Sequence, residues 1–108
     1  MSNKENDCIF CKIIKGEIPC TKVYEDNDVL AFLDIKPVNP GHTLVIPKKH
    51  CENLLDCADK ELNSVMKVVR ELSNKIIKDG AGGVKVVCNN GQPAGQIVFH
   101  LHVHIIPF

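Results

Sequence analysis

Three histidines, His100, His102 and His104, occupy every second position of the segment Phe99-His100-Leu101-His102-Val103-His104-Ile105. Side chains alternate between faces along an extended strand. The three imidazoles therefore share one face, while Phe99, Leu101, Val103 and Ile105 supply an apolar face for a core. Imidazole has an unperturbed pKa of about 6.5, so it can act as base, nucleophile or metal ligand near neutral pH. A neutral imidazole can attack phosphorus directly and divide one hard displacement into two easier ones. That chemistry needs one ring nitrogen unprotonated and aimed, with a partner holding the proton on the other. A lone histidine on an apolar face usually serves packing, but three on one face in a chain with five histidines mark an active site or a metal site.

Other elements must bring that strand its partners. His42 and His50 flank the apolar segment Thr43-Leu44-Val45-Ile46-Pro47; if this pairs beside the triad strand, all five histidines can meet. Ile9, Phe10, Ile13 and Ile14 have helical spacing, ended by Gly16 and Pro19. Val23–Glu25 and Val29–Leu33 read as strands around the turn Asp26-Asn27-Asp28, and Pro37, Pro40 and Gly41 form a loop. From about Asp59 to Lys78, Leu62, Val65, Met66, Val69, Leu72 and Ile76 recur at steps of three and four, an amphipathic helix whose stripe is core. Asp56 is its candidate N-cap, and glycines 80, 82 and 83 stop it. Val84–Cys88 and Gln96–Ile106 then read as strands around the loop Asn89–Gly95, whose backbone N–H groups can cradle phosphate. The order predicts an α+β fold: an antiparallel sheet, one long helix and a short N-terminal helix, in a single domain spanning residues 1–108.

Composition narrows the partners. Net charge is zero, with 13 basic and 13 acidic residues, which speaks against a nucleic-acid polymer but not against a mononucleotide. No apolar run reaches the roughly 18 residues of a membrane span, and residues 1–7 are polar with no secretory h-region. The expectation is a cytoplasmic protein with reduced thiols. Cys8 and Cys11, spaced C-x-x-C, then read as metal ligands or a redox pair, and Cys20, Cys51, Cys57 and Cys88 as structural. A tetrahedral structural zinc needs four ligands, and with no second C-x-x-C the other two would be histidines.

The motif His100-Leu101-His102-Val103-His104-Ile105-Ile106 resembles the signature of the histidine triad (HIT) family of nucleotide hydrolases and transferases. Cys8–Ile13, Gly16-Glu17-Ile18-Pro19, Gly41–Lys48 and Ala94-Gly95-Gln96 resemble its Hint-like branch, in family order over nearly the whole chain. The resemblance implies a five-stranded HIT-like fold and a two-fold homodimer formed through the long helix and a central strand. It implies that His102 is the nucleophile, forming a covalent nucleotidyl-histidine, with His104 and His42 contacting phosphate and the catalytic ring. His100 completes the triad. Asp34 matches the ribose-binding position, and Ile9, Phe10, Ile13, Ile18, Phe32 and Ile35 the pocket around a purine base. Asn89, Gly95, Gln96 and Ile97 match phosphate-side positions. The implied reaction is metal-independent hydrolysis or transfer at the α-phosphate of nucleoside phosphoramidates or dinucleoside polyphosphates, releasing a nucleoside monophosphate such as AMP.

Some family members carry a zinc held by two cysteines and two histidines. By that pattern Cys8, Cys11, His50 and His100 are the structural zinc ligands here. Two departures stand out. Hint enzymes commonly have a serine where this chain has Ile97, and many family members carry a tail beyond the position of Phe108. A nucleotide-binding or scaffold protein with little turnover is therefore an alternative. A second is a catalytic zinc on His100, His102 and His104 with an open fourth position.

Overall fold

The computed structural model describes residues 7–108. Helix α1 (Ile9–Ile14) is followed by β1 (Lys22–Glu25), β2 (Val29–Leu33), β3 (Thr43–Pro47), helix α2 (Asp59–Lys78), β4 (Val84–Val87), a 3-10 turn (Gln92–Ala94) and β5 (Val103–Pro107). The strands form one sheet in the order β1-β2-β3-β5-β4, with every neighbouring pair antiparallel. This is the expected α+β architecture with five strands, one long helix and a short one near the N-terminus. Among the described residues, no helix is long and apolar enough to cross a membrane.

The sheet is covered on both faces, which explains why β2 and β3 read as continuous apolar runs. Val29 and Ala31 of β2 and Val45 of β3 turn toward α2, where they meet Val65, Val68, Val69 and Leu72, together with Val103 and Ile105 of β5. Leu30, Phe32, Leu44 and Ile46 turn the other way, against Phe10, Cys11 and Ile13 of α1. The period-2 alternation of adjacent strands therefore separates two small cores, and α1 is held on the second.

Four local expectations are corrected. The last strand starts at Val103, not Gln96, so His100 and His102 lie in the extended segment ahead of it. The pairing Val45↔Val103 projects Pro47 opposite Leu101, and Pro47 has no N–H to continue the ladder; the N–H of Leu101 bonds Cys51 O at 2.9 Å instead. Phe99 is exposed rather than part of the apolar face. The α2 stripe buries Val68, while Met66 is exposed. Finally, Ala58 is the N-cap of α2; the Asp56 carboxylate accepts from the N–H groups of Glu52 and Asn53, closing the turn before the helix.

Candidate active site and metal centre

The histidines divide between two clusters. In the first, Cys8 Sγ and Cys11 Sγ lie 3.3 and 3.5 Å from His100 Nδ1, and Cys11 Sγ lies 3.3 Å from His50 Nδ1. All four ligand atoms fall within 4.8 Å of one another. Cys8 is the N-cap of α1, and its sulfur accepts the N–H of Cys11 at 3.3 Å, so the start of the helix sets the spacing of the two thiols. His100 is fully buried, and its Nε2 lies 2.8 Å from Pro47 O. A carbonyl only accepts, so Nε2 carries the proton and the Nδ1 lone pair faces the thiols. His50 Nε2 is buried with no hydrogen-bond partner among the described residues, leaving Nδ1 as the nitrogen through which that ring is engaged.

These donors fit zinc. Ligand bonds of about 2.3 Å to sulfur and 2.0–2.1 Å to nitrogen give sulfur–nitrogen edges near 3.5 Å in a tetrahedron. Two soft sulfurs and two imidazoles are also a common structural zinc set. Burial holds His100 down to about pKa 4 against the opposing bond to Pro47, so its ring is neutral, as a ligand must be.

The second cluster joins Asp34, His42 and His104, with His102 beside it. His42 is buried, and its Nδ1 accepts the N–H of Val38 at 3.1 Å. Its Nε2 must then carry the proton and donate it to His104 Nδ1, 2.9 Å away, while Asp34 Oδ2 lies 3.6 Å from the same nitrogen. By the same logic His104 keeps its proton on Nε2. His102 Nδ1 donates to His100 O at 2.8 Å, so His102 Nε2 is left with a free lone pair. The rings of His102 and His104 are 5.0 Å apart, and Phe10 meets His102 edge-on at 5.1 Å. Burial lowers the pKa of His102, opposed by the bond to His100 O and by Asp34. Burial, then the neighbouring His102 and His42, brings His104 to about 4. The site thus pairs a neutral imidazole lone pair with an adjacent imidazole N–H, the equipment for attack at phosphorus and hydrogen-bond donation to the charge that develops there.

The remaining expected residues are not all together. Phe10, Ile13 and Phe32 form one apolar cluster with Ile18 packed against it, while Ile9 is exposed and Ile35 fully so. Asp34 is fixed by the N–H of Lys36 on Oδ1 and by its own N–H on His42 O. Asn89 lies against Gly95, where an added Cβ would meet its side chain at 3.6 Å; Gly95 itself sits at φ +96, which favours glycine. Ile97 is 87% exposed. Gln96 is 2% exposed and spends its amide internally, accepting from Gly91 N and Asn53 Nδ2 and donating to Glu52 O and Val98 O. Val38 and Pro47 supply backbone groups that set two tautomers, and no side-chain pattern announces either. A proline ending an apolar strand between two histidines was the only available signal for the second.

An α+β sheet that brings paired histidines beside a thiol–imidazole cluster defines a histidine triad protein. Residues 15–108 match the HIT domain model, and the chain belongs to this family. It is 56% identical over 100 residues to an uncharacterised HIT-like protein of Methanocaldococcus jannaschii, covering 93% of this chain and 78% of that one. It is 45% identical over 100 residues to an adenosine 5'-monophosphoramidase of Schizosaccharomyces pombe, covering 93% of this chain and 73% of the relative. The crystal structure of a zinc-bound histidine triad family protein from Mycobacterium smegmatis superposes with TM-score 0.89 at 36% identity, over 95% of this chain and 76% of that one.

Proposed function

We propose that the protein, acting as one HIT domain, hydrolyses or transfers nucleotide conjugates at the α-phosphate through a covalent nucleotidyl-His102. The observation that carries this is the His102 tautomer: Nδ1–H on His100 O leaves the Nε2 lone pair for attack. As Nε2 bonds to phosphorus, the ring gains positive charge, which the His100 carbonyl and the Asp34 carboxylate stabilise. The bond from phosphorus to the leaving group breaks, the departing atom takes its proton from solvent, and His104 Nε2–H, oriented by His42, donates a hydrogen bond to the charge that develops there. Water then displaces the nucleotide from His102 and frees the monophosphate. Purine phosphoramidates and dinucleoside polyphosphates are the substrate classes, and the monophosphoramidase relative supports the first. Asp34 receives the ribose, and the cluster around Phe10 and Phe32 receives the base.

Cys8, Cys11, His50 and His100 hold a structural zinc, and every chemical step belongs to the protein's own imidazoles. The zinc-bound relative supports that assignment. The protein works in the cytoplasm as a homodimer. In support of pairing, Leu54, Leu62, Met66 and Val86 surround a groove of about 330 Å³ on one surface, floored by Leu101 and Val103. A nucleotide-binding protein with little turnover is a second reading, favoured by the exposed Ile97 where a hydroxyl would assist the leaving group.

Intact-mass spectrometry after rapid acid-free quenching with adenosine phosphoramidate tests the mechanism. An adduct of AMP mass that is lost in His102→Ala supports the covalent route. Undiminished turnover by that variant refutes it, and AMP binding with neither adduct nor product moves the binding protein to the front.

A further inference from the structure

We propose that metal binding at Cys8, Cys11, His50 and His100 and nucleotide binding beside His102 reinforce each other, with α1 as the element that couples them. The inference rests on the metal and nucleotide assignments above and goes beyond both. Two physical links join the sites. The first is His100 itself: its ring Nδ1 faces both thiols, and its carbonyl holds the Nδ1–H of His102 at 2.8 Å. The residue that would be drawn to a metal therefore also sets the tautomer and orientation of the nucleophile. The second is Phe10, which stands between the two thiol positions on α1. Its ring meets His102 at 5.1 Å, His100 at 6.0 Å and Phe32 at 5.5 Å, each edge-on.

Helix α1 has six residues, far below the length at which an isolated helix is stable in water. Its position depends on the burial of Phe10, Cys11 and Ile13 and on what its thiols hold. With a metal bound, the thiols lose their protons and tie α1 to His50 and His100, fixing Phe10 against the nucleophile. A nucleotide packed on the same wall favours the same position of α1. Both ligands then stabilise one arrangement, and the coupling must be reciprocal: the factor by which metal tightens nucleotide is the factor by which nucleotide tightens metal. A metal with a purely structural role would raise the melting temperature and leave that factor at one.

The test uses the full chain. AMP affinity is measured by calorimetry on zinc-loaded and zinc-stripped protein, and zinc affinity by competition with a chromophoric chelator, with and without AMP. The expected result is one shared factor of about fivefold or more, within the usual range for coupled sites. Phe10→Leu, which keeps an apolar side chain but removes the ring contacts, is expected to bind both ligands with a factor nearer one. If the stripped protein loses its far-ultraviolet circular dichroism, metal and nucleotide are linked through folding of the whole chain and not through α1, which overturns the coupling. Zinc and AMP both binding with a factor of one overturns the coupling alone. Failure to bind zinc overturns it through the metal assignment, and failure to bind AMP through the nucleotide assignment.

Discussion

Replacing Gln96 with alanine separates two roles for a residue whose sequence context points to phosphate. The amide of Gln96 makes four internal bonds: 2.6 Å to Glu52 O, 2.8 Å from Gly91 N, 3.0 Å to Val98 O and 3.1 Å from Asn53 Nδ2. Each such bond contributes a net ~0.5–1.5 kcal/mol, and the partners left behind are three backbone groups and the Asn53 amide in a part-buried setting. The sum is about 4 kcal/mol, a large share of the ~5–15 kcal/mol that holds a domain folded. Urea denaturation at fixed protein concentration is the assay. With a slope of roughly 2 kcal/mol/M, the midpoint falls by about 2 M. Gln96→Glu sharpens the result, because it keeps an acceptor for Gly91 N but aims a carboxylate at two carbonyl oxygens. That contact raises the new carboxyl's folded-state pKa above its unfolded value, so the folded state binds more protons as pH falls. The gap between this variant and the natural chain must then narrow on acidification. A loss below about 1 kcal/mol in Gln96→Ala, together with weakened AMP binding, would show that Gln96 serves the ligand and not the loop.

Other consequences are open to measurement. His42→Ala breaks the relay from Val38 N–H to His104, and kcat should fall by about 10²–10⁴-fold, measured as AMP release from adenosine phosphoramidate. Ile97→Ser is expected to raise phosphoramidate turnover while changing stability by less than ~0.5 kcal/mol in thermal unfolding, because the side chain is 87% exposed. Burial keeps His102 below its ordinary pKa and His104 near 4, so both stay neutral as pH falls through about 6.5. kcat/KM should therefore hold through that value and fall only at lower pH; a midpoint at 6.5 would contradict the burial argument. Across the same window the unfolded chain takes up protons that the folded chain refuses, so melting temperature must fall as pH drops from about 6.5 toward 4. Met66→Asp should shift light-scattering mass from dimer toward monomer with little loss of helix signal.

The elements were legible because each obeyed a simple period. The spacing in residues 59–78 specified α2, and Asp26, bonding the N–H groups of Asp28 and Val29, placed the first hairpin where its turn residues stand. What failed was the extent of the last strand. Alternation along residues 99–105 describes which way side chains point, and an extended chain keeps that property without any neighbour. Strand pairing also needs a donor opposite, and Pro47 cannot supply one. Gln96 shows the same blindness from the side of chemistry. A polar residue next to a glycine loop looks the same in sequence whether it faces a phosphate or closes the loop on Glu52, which is 44 positions away.

Loss of the ladder at residues 99–102 is also what makes the site possible. Were His100 and His102 paired in the sheet, the His100 carbonyl would be committed to a neighbouring strand's N–H. Set free of the ladder, that carbonyl accepts from His102 Nδ1, and Pro47 O, likewise unclaimed by the ladder, accepts from His100 Nε2. Two backbone acceptors left outside the ladder thus assign two imidazole tautomers in opposite senses. His100 turns its Nδ1 lone pair to the thiols, and His102 keeps its Nε2 lone pair for chemistry. An identical His-x-His pattern fully zipped into a sheet would lack both assignments, so the triad motif works here through the point where its strand stops pairing.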